Sequence, residues 1–235
     1  MLKTDAPIQG MRFTTNFNIF ACLGLASRMI PKSFAQVLNQ TAPRMPKRIV
    51  LARRSGRCVK NAETIESLLS AEGFTKVYFE EMPVLEQLRH VWNADRIAGV
   101  HGAAFGALLF RGLKATGHPC KVIELFGPGY VVTLYRSLVA AVGGAWLGVR
   151  GAISADVVDR LRETKPPGVL QRSLHKIKSR LSPSTTIKES VWQRTCHAMD
   201  FEVDPLAIEA SLALLCGQID SPPSRYILGP PIFPG

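Results

Sequence analysis

The stretch Asp95–Arg111, DRIAGVHGAAFGALLFR, sets the reading of the whole chain. Its apolar start, Arg96 to Val100, predicts a short strand. His101-Gly102 then predicts a tight turn, and the small residues from Gly102 to Phe110 predict a helix. The first amides of a helix have no partner within it and carry the positive end of its dipole, so this order of elements suits an anion. Glycine lets a backbone approach closely, and His101 adds a hydrogen bond or a charge. The same residues also satisfy a plainer requirement, a buried strand-to-helix corner in which glycine only makes the turn.

The pattern on either side matches. Upstream, Arg48–Arg53 is an apolar strand, followed by a basic loop, Arg54-Ser55-Gly56-Arg57, and a helix capped by Asn61 and ended by Gly73. Lys76–Phe79 predicts a second strand, and Pro83 opens a helix whose apolar face is Leu85, Leu88, Val91 and Trp92. Downstream, Lys121–Phe126 predicts a fourth strand, Tyr130–Val142 a helix and Ala145–Val149 a fifth strand. Short apolar strands alternating with amphipathic helices predict an α/β, Rossmann-like, doubly wound parallel sheet. Right-handed crossovers then bring the loops after the strands to one edge.

The expected organisation is a poorly defined lead-in or N-terminal lobe remnant over 1–46, the Rossmann-like sheet domain over 47–150, and a basic, proline-containing extension over 151–235. Short helices are expected at 33–38, at 156–163 and over Asp204–Cys216.

Among 235 residues, 46% are hydrophobic and the formal net charge is +11, which favours anionic partners without choosing among nucleotides, nucleic acid and an acidic membrane surface. The five cysteines include no Cys-x-x-Cys pair, so neither a disulfide framework nor a zinc site is expected; free thiols fit a cytoplasmic setting. The apolar run Phe17–Ala26 falls short of the ~20 residues of a membrane span. It suits a packed segment or peripheral membrane association. Gly-x-Gly-x-x-Gly and P-loop fingerprints are absent, which argues against an ordinary nicotinamide or P-loop site.

Arginine forks suit phosphate oxygens, so Arg53, Arg54 and Arg57 beyond a strand end are candidate phosphate ligands, or else a solvated basic turn. Glu124, inside an apolar strand, suits the hydroxyls of a ribose, or else an ion pair.

Taken together and in order, these residues resemble glycosyltransferase family 61. Arg53 or Arg54, Arg57 and Asn61 resemble its Arg-x-x-x-Arg-x-x-x-Asn block, and Glu86-Gln87 its Glu-Gln element. Val100-His101-Gly102-Ala103 with Leu108-Leu109-Phe110 resembles its His-Gly-Ala…Leu-Leu-Phe block, and Val122-Ile123-Glu124-Leu125 its Val-Ile-Glu-Leu strand. Ala104-Phe105-Gly106-Ala107 departs from the more usual Gly-Leu-Thr-Asn.

The resemblance implies a GT-B fold whose C-terminal lobe holds a nucleotide sugar, usually a UDP-sugar, without a metal or other cofactor. It further implies transfer to a glycan or other hydroxyl acceptor, as in bacterial cell-surface polysaccharide synthesis. By position, Arg53 or Arg54, Arg57 and His101 would face the diphosphate, Gly102 and Ala103 would offer amides, and Glu124 would approach the ribose. Asn61 belongs to the same donor-binding set, and His101 is the candidate catalytic residue. Two other readings remain at this point: a non-catalytic nucleotide-binding lobe, and a basic nucleic-acid-binding protein drawing on the run from Arg172 to Lys188.

Overall fold

The computed structural model describes residues 32–39, 45–113, 119–128, 131–152 and 199–218. Helix α1 (Lys32–Asn39) precedes β1 (Arg48–Ala52), α2 (Ala62–Ala71), β2 (Thr75–Tyr78) and α3 (Val84–Asn93). Then come β3 (Arg96–Val100), a 3₁₀ helix (Ala103–Leu113), β4 (Lys121–Phe126), α4 (Leu134–Ala141), β5 (Ala145–Arg150) and α5 (Pro205–Cys216). The five strands form one parallel sheet in the order β2-β1-β3-β4-β5. This is the Rossmann-like α/β architecture that the strand–helix alternation predicts. The expected helices at 156–163 and the basic run at 172–188 lie outside the described residues, as do Cys22 and Cys196.

Alternation along each strand divides the core into two layers. Ile49, Leu51, Ile97 and Val122 face Val91 of α3, Phe105 and Leu108 of the 3₁₀ helix, and Leu138 and Val139 of α4. Ala98, Ile123, Leu125 and Val149 face Ile65 and Leu69 of α2 and Ile208, Leu212 and Leu215 of α5. Burying each such aliphatic side chain is worth about 1.5–3 kcal/mol, so two covered faces account for the apolar runs in β3 and β4. On the outer side of α3, α1 adds a small third cluster of Leu38, Leu88 and Trp92.

Two details lie beyond what the sequence indicates. The segment after Gly102 is a 3₁₀ helix rather than an α-helix, opening with Phe105 N–H donating to the Gly102 carbonyl at 3.1 Å. Arg111, at the end of the decisive stretch, turns back into the core at 4% exposure. Its Nη1 donates to the carbonyls of Val91 (2.7 Å), Trp92 (3.1 Å) and Ala94 (2.5 Å), while Lys47 Nζ donates to Asn93 at 3.2 Å. The last carbonyls of α3 lack partners within the helix and carry its negative end, so the cations complete it. Arg111→Met should keep the apolar stem but leave those carbonyls unpaired. The expected loss is about 1–3 kcal/mol, read from the urea midpoint, and an unchanged midpoint would refute the capping role.

His90 is buried on α3 against Phe79. Burial pushes its pKa below the ordinary 6.5, against a smaller opposing pull from Glu86. The unfolded chain therefore takes up a proton that the folded chain resists. Stability is fully present above about pH 6.5 and is lost as pH falls through the lower folded value. His90→Leu should flatten the fall in urea midpoint between about pH 7 and pH 5, and an equally steep fall in the variant would exclude His90 as its source.

Candidate functional site

Because the sheet is parallel, the loops leaving β1, β3 and β4 all emerge at one edge. The chain passes from β1 outward to β2 on one side and on to β3, β4 and β5 on the other. Ligands in open α/β sheets bind where strand order reverses in this way, between β1 and β3. The loop after β1 carries the arginines, and the turn after β3 is His101-Gly102.

The structure separates the two arginines that sequence left equivalent. Arg53 Nη1 reaches across to the His101 carbonyl at 3.3 Å. Arg54 turns the other way, paired with Glu81 at 2.6 Å and lying over the Tyr78 ring at 3.7 Å. Gly102 sits beneath the other two guanidiniums: a Cβ there would lie 2.9 Å from Arg53 Nη1 and 3.8 Å from Arg57 Nη2. Arg53, Arg57, His101 and Gly102 thus converge, with the exposed Ala103 next in the chain. Arg53 Nε is a buried donor without an acceptor among the described residues. Gly56 and Arg57 both hold left-handed backbone, with φ of 62° and 56°. For a non-glycine residue that costs on the order of 1 kcal/mol or more and persists only where surroundings enforce it.

Those surroundings come from the far end of the chain. Cys58 N–H donates to Asp200 Oδ1 at 2.7 Å, Lys60 N–H to the Phe201 carbonyl at 2.7 Å, and Phe201 N–H to the Cys58 carbonyl at 3.1 Å. Asn61 completes the join: its Nδ2 donates to the Val203 carbonyl at 2.7 Å and its Oδ1 accepts from Val203 N–H at 3.0 Å. Asn61 occupies the N-cap position of α2 but makes no side-chain cap. A peptide unit offers its amide two bonds where a cap offers one.

His101 is held through its backbone, its ring faces and Nδ1. Its N–H donates to the Leu125 carbonyl at 2.8 Å. Its ring stacks on Phe126 at 5.2 Å and lies 5.5 Å from Tyr135. Its Nδ1 is 2.5 Å from Glu124 Oε1. Glu124, expected near the ribose, has no solvent exposure, and its Oε2 accepts from Trp146 Nε1 at 2.7 Å. Sequence reasoning missed Trp146, Asp200 and Val203. Trp146 carried a usable signal: Gly148 lies two residues on, on the same strand face, where a Cβ would come within 2.6 Å of the indole.

A shallow cleft lined by Ala52, Arg53, Cys58, Val59, Gly99 and Val100 lies beside this edge, on the α2 side of the sheet. Among the described residues no group of three or more His, Cys, Asp or Glu could hold a metal, and no helix is long and apolar enough to cross a membrane.

Asn61→Ala should strand the Val203 peptide unit and loosen the arginine loop. The expected cost is about 1–3 kcal/mol in a urea melt, with faster amide exchange at Cys58 and Lys60; unchanged exchange there would refute the clamp.

No curated protein matches the chain. Residues 11–122 match the family model described as Glycosyltransferase 61. The match contains Arg53, Arg57, Asn61, His101 and Gly102 and stops two residues before Glu124. Over residues 11–122, the chain is similar to glycosyltransferase family 61.

Proposed function

We propose that this chain transfers a sugar from a nucleotide sugar, of the UDP class, to a hydroxyl of a glycan acceptor. The family supports glycosyl transfer as the general activity. One observation carries the assignment of the donor site: the Arg53 and Arg57 guanidiniums meet over the bare face of Gly102, at the reversal point of the sheet.

The chemistry follows from charge. Breaking the bond between the sugar and the diphosphate leaves negative charge on the departing oxygens. Two fixed guanidiniums and the amides opening the 3₁₀ helix place positive charge there before the bond breaks, so little reorganisation is needed as it breaks. Gly102 lets the diphosphate approach the backbone, and His101 stands beside it as the candidate catalytic group. Arg54 is occupied by Glu81 and Tyr78, so Arg53 is the partner of Arg57 in this reading. The net charge of +11 would draw an anionic donor toward the chain. A role in building cell-surface polysaccharide in a bacterium is consistent with this chemistry and belongs to the proposal.

Calorimetric titration with UDP tests the donor site. Arg57→Ala and Arg53→Ala should each weaken binding about 10- to 100-fold, the worth of one hydrogen bond to a charged group, whereas Arg54→Ala should change it less than about twofold. No binding by the folded wild-type protein, or equal losses in all three variants, would sink the assignment. UDP binding without turnover of any UDP-sugar would leave a nucleotide-binding lobe as the function.

A further inference from the structure

The geometry points to Glu124 as a positioning residue. Locked by Trp146, it holds the His101 proton on Nδ1, so that Nε2 is the nitrogen that takes the proton from the attacking acceptor hydroxyl. The proton-transfer half of this inference rests on the transferase reading above; the Nδ1 half does not.

Glu124 lies inside β4, with a strand paired on either side, at 0% exposure. In register it has Gly99 on β3 to one side and Gly148 on β5 to the other. The absence of a side chain at Gly148 leaves room for the Trp146 indole, which folds over it, whereas Gly99 lies against Leu51. A carboxylate taken out of water must find donors for both oxygens. Trp146 Nε1–H has no acceptor capacity, so it can only donate to Oε2. The other oxygen faces His101 Nδ1 at 2.5 Å, and a carboxylate there demands N–H rather than a lone pair. A neutral imidazole with its proton on Nδ1 has its lone pair on Nε2.

The step balances. The acceptor O–H bond breaks, and its proton goes to Nε2. The oxygen bonds to the anomeric carbon while the bond from that carbon to the diphosphate oxygen breaks. The diphosphate leaves with the electron pair, beside Arg53 and Arg57. The imidazolium that forms is countered by Glu124 through Nδ1–H, the division of labour of a carboxylate–histidine pair.

Glu124→Gln gives a sharp test, because glutamine has a single acceptor oxygen. Trp146 must take it, so the amide NH₂ turns to His101 and requires Nδ1 as acceptor. Long-range ¹H–¹⁵N spectra of ¹⁵N-histidine-labelled protein should show His101 with a proton on Nδ1 in the wild type and a bare Nδ1 in Glu124→Gln. Adding Trp146→Phe to that variant frees the oxygen and should return the proton to Nδ1. A bare Nδ1 in the wild type, or an unmoved proton in Glu124→Gln, overturns the proposal, and the wild-type spectrum decides even if a variant fails to fold.

UDP release from a panel of UDP-hexoses and UDP-pentoses, with water as acceptor, reads the second half. In Glu124→Gln, kcat should fall about 100-fold with UDP affinity changed less than about twofold, and the double variant should recover part of it. An unchanged kcat in Glu124→Gln overturns the proton-accepting role. No release by the wild type would count against the transferase reading, while leaving the Nδ1 assignment to stand on its spectrum.

Discussion

A carboxylate with no contact with water, set in the central part of a parallel sheet, constrains everything around it. Glu124 is tolerable there only because both oxygens have donors, Trp146 from β5 and His101 from the turn after β3. That requirement reaches across three strands. It needs room for the Trp146 indole, which Gly148 leaves, and it needs the sheet edge held steady enough that a histidine beyond β3 stays within reach of β4. Phe126 and Tyr135 pack the His101 ring from the apolar side, so the pair sits in surroundings where electrostatic partners are felt strongly.

The arginine loop depends on a second constraint, of longer range. Gly56 and Arg57 hold left-handed backbone, which the loop alone would not favour. Hydrogen bonds to Asp200, Phe201 and Val203 pin it from the far end of the chain. Helix α5 anchors that segment by burying Ile208, Leu212 and Leu215 against the sheet, and its own C-terminal end is met by Lys121, which donates to the Leu215 carbonyl. The family match ends at Val122, yet the geometry of its first arginine block is maintained by residues beyond it. Order at the candidate site is therefore tied to the closing helix as much as to the strand that the loop leaves.

Much of the fold was legible in the chain. Strands β1, β3 and β4 are apolar runs because both faces are covered, and α2 ends where Gly73, at φ of 76°, can take the left-handed turn that closes a helix. These signals are local: period, propensity and the conformational freedom of glycine act within a few residues. After Gly102 the spacing predicts a helix without fixing its kind, since small residues with apolar spacing suit either ladder, and the structure forms a 3₁₀ helix.

The amino-acid sequence by itself determined the alternation of strands and helices, the edge at which the loops gather, and the set of residue types there. Only the tertiary structure decided what those residues do to one another. It turned Arg53 inward and Arg54 toward Tyr78 and Glu81, put Glu124 on His101, and gave Asn61 to Val203 across 142 residues of chain. The physical reason is that donor–acceptor pairing and desolvation depend on distance in space, whereas sequence patterns report only the neighbours along the chain.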